Sequence, residues 1–225
     1  MQEDLVCRLE RELSIPAGRV TLSGAVTVPG HARGVVLFAH GSESSRNSPR
    51  NTFVANPLQE AGLGTVLFDL LTSAEEQIDS DTREHRFDIP LLAERMVHAT
   101  HWLETQSDLR DLPVGYFGAS TGSAAALVAA AKLGDRVGAI VSRGGRPDLA
   151  GPALRHVTAP TLLIVGGDDD VVIDLNQVAY EELRCVKDLK VVPGASHLFD
   201  EPGTLEVVAT LTADWFNRHL GRHAD

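Results

Sequence analysis

The residues best suited to chemistry stand in one short segment, Gly118-Ala119-Ser120-Thr121-Gly122, a Gly-x-Ser-x-Gly pattern centred on a serine. Val114-Gly115-Tyr116-Phe117 precedes it and an alanine-rich run follows, which together read as strand, tight turn and helix. Glycines on either side of the serine let the backbone bend where a Cβ would obstruct it, lifting the hydroxyl clear at the carboxyl end of a strand. A free serine is a weak nucleophile at neutral pH. It needs an imidazole to take its proton and a carboxylate to hold that imidazole's tautomer. Downstream come Gly166-Gly167-Asp168-Asp169-Asp170 and then Gly194-Ala195-Ser196-His197, in the order serine, acid, histidine. Gly166 and Val172 frame Asp169 with two residues on each side, which favours Asp169 as the acid and leaves Asp168 and Asp170 as alternatives. A metal site in the aspartate cluster is the competing reading, but no histidine or glutamate at ligand spacing accompanies it.

Acyl transfer also needs hydrogen-bond donors aimed at the developing oxyanion. The backbone N–H of Thr121, at the start of the helix that follows the serine, is one candidate, because unpaired N–H groups and the helix dipole favour negative charge there. The N–H of Ser42, after His40-Gly41, is the other. His197 is one of nine histidines, and its place after the last strand sets it apart. His40 is expected to support its loop and border the substrate, not to act as the base.

The elements that must position these groups alternate. Val20 to Val28, Gly34 to Ala39, Gly64 to Asp69, Val114 to Phe117, Val137 to Val141, Thr161 to Val165 and Leu189 to Val192 read as strands, several of them continuous apolar runs of the kind buried on both faces. Between them, helices are expected at about 52–61, from Asp88 through Leu103, after Ser120, from Asp174 to Leu183, and around Leu205 to Trp215. Residues 1–19 read as a loose lead-in and residues 74–86, charged and without a clear period, as a connecting loop or a mobile cover. The pattern predicts an α/β fold, a mostly parallel sheet with helices on both faces, in one domain over 20–225. Function then gathers at the carboxyl ends of the strands, where the serine, acid and histidine all fall. Too few residues separate the strands at 137–141 and 161–165 for an inserted cap domain, so an open site is expected.

Length and composition agree. A chain of 225 residues with 43% hydrophobic and 23% charged residues suits one globular α/β domain. A net charge of -11 without a lysine-arginine cluster argues against nucleic acid as a partner. No apolar stretch approaches the roughly 20 residues of a membrane helix, and none follows the acidic start as a secretion signal would, so a cytoplasmic location is expected. Cys7 and Cys185, the only two cysteines, are expected to be reduced thiols.

As a set, His40-Gly41, Gly118 through Gly122, Gly166 through Asp169 and His197 resemble the α/β-hydrolases, and the small uncapped layout resembles their dienelactone hydrolase branch. The resemblance spans nearly the whole chain from about Val20. One departure stands out: dienelactone hydrolases proper carry cysteine as nucleophile, whereas this chain has Ser120. The resemblance implies a serine hydrolase of small ester or lactone substrates that uses no metal or organic cofactor. A thioester, amide or carbon–carbon bond, or an assembled but idle binding site, are the alternatives. Arg46, Arg50, Arg143 and Arg146 lie on loops expected near the serine. Arg46 and Arg143, with His40, are the candidate substrate contacts, against the plainer reading that the arginines pair with the abundant carboxylates to fix those loops. Oligomeric state is not legible.

Overall fold

The computed structural model describes residues 9–220. Eight strands form one sheet in the order β1-β2-β4-β3-β5-β6-β7-β8, with β1 (Leu9–Ala17), β2 (Val20–Val28), β3 (Val35–Ala39), β4 (Gly64–Phe68), β5 (Val114–Ala119), β6 (Val137–Arg143), β7 (Thr161–Gly166) and β8 (Lys187–Val192). The β1–β2 and β2–β4 pairs are antiparallel and every pair from β4 onward is parallel. Six helices connect them: α1 (Pro49–Glu60), α2 (Ser73–Thr82), α3 (Ile89–Glu104), α4 (Thr121–Leu133), α5 (Asp170–Glu182) and α6 (Thr204–His219).

The continuous apolar strands are explained by two cores. Alternate residues of β3 divide between them: Val35, Leu37 and Ala39 pack in the layer of α3 and α4, while Val36 and Phe38 pack in the layer of α1 and α6. A strand with a core on each face has no position left for a polar residue. The alanines of α4 bring that helix onto the sheet without a void, and Ala124 to Leu127 are wholly buried. Met96 is likewise buried in the core between α3 and the sheet.

Four elements differ from the sequence expectation, one of them α5, which starts at Asp170 and not at Asp174. Residues 9–17 of the expected lead-in form β1, whose Leu13, Ile15 and Ala17 alternate inward along the edge of the sheet; residues 1–8, Cys7 among them, lie outside the described residues. Most of 74–86 is the helix α2, closed at its start by a capping box in which Thr72 Oγ1 accepts from Glu75 N–H and Glu75 accepts from Thr72 N–H. Helix α1 starts at Pro49, three residues earlier than expected, because Ser48 caps it through Asn51 N–H and proline suits a first helical turn. In place of a cap domain, the segment between β6 and β7 holds only 3-10 turns over Pro147–His156. Among the described residues, no helix is long and apolar enough to cross a membrane, and no cluster of three or more metal-ligating side chains occurs.

Candidate active site

Ser120 joins β5 to α4 with φ 50° and ψ -123°, a conformation that L residues avoid and that costs about 1–3 kcal/mol. The surroundings hold it there. Its N–H donates to Arg143 O at 3.4 Å, and its carbonyl accepts from Arg146 N–H at 3.0 Å and Ser123 N–H at 3.1 Å. The flanking glycines act by close approach, and neither has a positive φ. A Cβ on Gly122 would lie 2.2 Å from Ala39 O, and one on Gly118 would lie 2.5 Å from Ser123 Cα. The bend that the pattern predicts is real, but the strain sits on the serine and the glycines make room for it.

The acid and the histidine come from two loops that nest together after β7 and β8. Asp168 N–H donates to Ala195 O at 3.0 Å and Gly167 N–H to Val192 O at 2.8 Å, while a Cβ on Gly166 would lie 2.4 Å from Ala195 O. This packing brings His197 Nδ1 to 2.7 Å from Asp169 Oδ2. Of the three neighbouring aspartates, Asp168 and Asp170 are exposed and Asp169 alone meets the ring. With Nδ1–H donating to that carboxylate, Nε2 is left as the acceptor. His197 and Ser120 line one cavity of about 200 Å³.

The loop after β3 supplies the other side. His40 is buried, with Nδ1–H donating to Gly41 O at 2.9 Å and Nε2 accepting from Leu70 N–H at 3.0 Å. Two such bonds need a neutral ring, and burial lowers the His40 pKa from its ordinary value, which favours that form. Gly41 O also accepts from Ser44 N–H at 3.2 Å. Because a trans peptide points its C=O and N–H in opposite directions, these two donors to Gly41 O turn the Ser42 N–H the other way. Gly41 itself lies against the serine, with a Cβ placed on it 3.1 Å from Ser120 Cβ. Ser42 and Thr121 N–H have no acceptor among the described residues, so both are free to meet an oxyanion.

A second cavity, of about 450 Å³, opens beyond this loop. His40, Ser42 and Thr121 border it, together with Leu70, Leu71, Leu92, Glu76, Asp79 and Arg86. The buried Asp79 and the half-buried Arg86 neutralise each other in an ion pair. Glu76 has no such partner; burial, then Asp69 and Asp79, raise its pKa above the ordinary value. The Thr121 hydroxyl is buried without a hydrogen bond. Residues on α2 and at its end were missed as site residues because no apolar period marks that helix, although Thr72-x-x-Glu75 is a start signal that was present.

The arginines part ways. Arg46 is not brought to Ser120: Glu12 and Asp69 hold it at 2.6 and 3.3 Å, beside a separate surface hollow next to β2 and β4. This is the arrangement of the plainer reading, in which the arginine pairs with carboxylates and fixes its loop. Arg146 pairs with Asp148, and Arg50 with Asp200 at 3.1 Å, though Arg50 also lines the serine's cavity. Arg143 lines that cavity too.

No family model matches the chain. Two Mycobacterium tuberculosis proteins, from the CDC 1551 and H37Rv strains, are 58% identical over 211 residues, 94% of this chain and 47% of each of theirs. Both are provisionally described as phosphoribosyl transferases, and the chain spans about half the length of these curated relatives. The crystal structure of dienelactone hydrolase from Anabaena variabilis matches with a TM-score of 0.93 and 58% identity, over 95% of this chain and 99% of that one. A dienelactone hydrolase-like promiscuous phosphotriesterase from metagenomic libraries matches with a TM-score of 0.77 at 18% identity, over 95% and 99% of the two chains. The esterase domain of a Rhodothermus marinus protein matches at 0.74 and 18%, over 95% and 100%. The last two establish likeness of fold alone.

Proposed function

The chain belongs to the dienelactone hydrolase-like branch of the α/β-hydrolases, and from that premise we propose that it is a serine hydrolase cleaving a carboxylic ester or lactone through an acyl-enzyme. The observation that carries the proposal is one cavity that holds both Ser120, kept at φ 50°, and His197, bonded to Asp169 at 2.7 Å. His197 Nε2 takes the Ser120 proton as Oγ attacks the acyl carbon. The C–O bond to the leaving group breaks and His197 returns the proton to the departing oxygen. Water then attacks the acyl-enzyme, with His197 again as base, releasing the acid and restoring Ser120. Asp169 keeps the ring in the tautomer this requires and stabilises the imidazolium that forms. Ser42 and Thr121 N–H groups receive the oxyanion in both tetrahedral intermediates. Ser120 Oγ makes no hydrogen bond among the described residues, which suits a free site whose serine–histidine contact tightens as substrate fills it.

The phosphoribosyl transferase description attaches to mycobacterial chains about twice as long, of which this chain matches 47%. A fluorophosphonate probe with a screen of esters, lactones, thioesters and amides tests the proposal. Labelling that Ser120→Ala abolishes, with fastest turnover on an oxygen ester or lactone, is the expected result. Unlabelled native protein and no turnover across the screen would overturn it.

A further inference from the structure

Helix α5 begins directly after the acid, since Asp169 is its N-cap. About two turns further along it stands Asn176, which is wholly buried and lines neither cavity. Its Nδ2 donates to Gly145 O at 3.0 Å and to Val172 O, one turn back in α5, at 2.8 Å. Oδ1 has no hydrogen-bond partner. The orientation of the amide is fixed all the same, because turning it over would set Oδ1 against both carbonyl oxygens.

Gly145 is buried outside any helix or strand, so its carbonyl depends on a side chain for a donor. The peptide joining Gly145 to Arg146 carries that carbonyl on one side and, on the other, the Arg146 N–H that donates to Ser120 O at 3.0 Å. One flat peptide therefore stands between Asn176 and the strained serine. A C=O that accepts a hydrogen bond polarises the N–H of its own peptide, so the two bonds strengthen each other. Ser142 Oγ, at the end of β6, donates to Ser123 Oγ of α4 at 2.9 Å, and a Cβ on Gly145 would lie 2.0 Å from the first oxygen and 2.4 Å from the second. These hydroxyls keep Gly145 from shifting toward β6 or α4.

We infer that Asn176 is a positioning residue, which through the Gly145–Arg146 peptide holds Ser120 in its strained conformation and locks the helix that starts at the acid to the turn that carries the nucleophile. The inference rests on the serine hydrolase reading and adds to it a residue that touches neither substrate nor reacting atom. Leucine in its place exchanges one unpartnered buried oxygen for another, Oδ1 for Gly145 O, so stability changes little. The peptide that holds Ser120 meanwhile loses its restraint. Stability and turnover then separate.

The test measures kcat and KM on p-nitrophenyl butyrate, the rate of fluorophosphonate labelling and the melting temperature. Asn176→Leu is expected to lower kcat and the labelling rate together by about 10- to 100-fold, the effect of a misplacement of about 1 Å. KM should stay within about 2-fold and the melting temperature within about 4 °C of native. Asn176→Asp keeps the shape but puts a carboxyl oxygen where the donor was, and should cost at least as much in kcat. Thr212→Val is the control: it removes a buried hydroxyl bond to Val208 O in α6, on the other face of the sheet, and is expected to shift melting by a similar amount with kcat unchanged. If both Asn176 variants keep kcat and labelling within about 2-fold of native, this inference is overturned and the hydrolase reading stands. A fall in kcat that Thr212→Val reproduces overturns it too, as a general loss of stability. Native protein that neither turns over nor labels removes both readings. Should neither Asn176 variant fold, Ser142→Ala, on the other side of the same glycine, is expected to lower kcat a few-fold, and an unchanged kcat there overturns the inference equally.

Discussion

The two cavities on either side of the Gly41 to Ser44 loop are made in opposite ways. The smaller, about 200 Å³, is built from strand ends: Ser120 at β5, Arg143 at β6 and His197 after β8, each fixed by backbone hydrogen bonds and glycine contacts that leave no room for adjustment. The larger, about 450 Å³, is walled by leucines and by α2, a helix whose one fully buried residue is the paired Asp79. The first is basic and the second leans acidic through Glu76. In the proposed function, bond-making chemistry belongs to the strand-built side. The helix-walled side is suited to choosing the bulk of the substrate, since a surface helix can change without disturbing the sheet.

That contrast breaks most plainly at Ser120. Ser120→Ala is expected to lower kcat by about 10⁴-fold or more on every substrate, large or small. Turnover that survives on bulky esters alone would mean a second reaction centre in the larger cavity. Asp169→Asn should cost about 10³- to 10⁴-fold by disfavouring the required tautomer. Asp168→Asn and Asp170→Asn, on exposed neighbours, should stay within a few-fold; steady-state kinetics on one ester compares all three.

His40 stands where the cavities meet. Replacing it with phenylalanine removes the donor to Gly41 O and frees the Ser42 peptide to turn, so kcat should fall about 10- to 100-fold with less change in KM. Because the folded state disfavours the His40 cation, its contribution to stability is present above pH 6.5, the ordinary value, and is lost as pH falls below it. Thermal melts should show that acid-side slope in the native protein and a shallower one in the variant.

The smallest effect is expected at Glu76. Its raised pKa means that the carboxyl favours the fold at low pH and loses that advantage as pH rises through the folded value. Glu76→Gln should therefore match native stability near pH 4 and exceed it by about 1 °C near pH 8, solvent screening keeping the difference small. Small esters should turn over unchanged, while esters long enough to reach the larger cavity shift a few-fold. An equal shift for small esters would dissolve the distinction between the cavities.

Legibility in the sequence followed the same division. Strands β3 to β7 were readable because burial on both faces leaves an unbroken apolar run, as in Val35 to Ala39. The segments of the elbow and the acid follow two such strands, β5 and β7, whereas the histidine's segment follows the half-exposed β8 and its turn. Helix α2 was not readable, since its stability comes from a capping box and from Asp79 bonding to His85 and Arg86 N–H, polar devices with no period. Strand β1 hid its alternation of Leu13, Ile15 and Ala17 behind the outward charges of Glu10 and Glu12. The arginines were beyond sequence altogether: four residues expected on loops, of which Arg50 lies in α1 and Arg143 ends β6, differ in whether a carboxylate is near, which is a fact of three-dimensional distance.

The bonds that tie Ser120 to Arg143 O and Arg146 N–H have one more consequence. They make the nucleophile and the end of β6 a single mechanical piece, so thermal breathing of the loops moves both together. A substitution that shifts the end of β6 should therefore move the nucleophile with it.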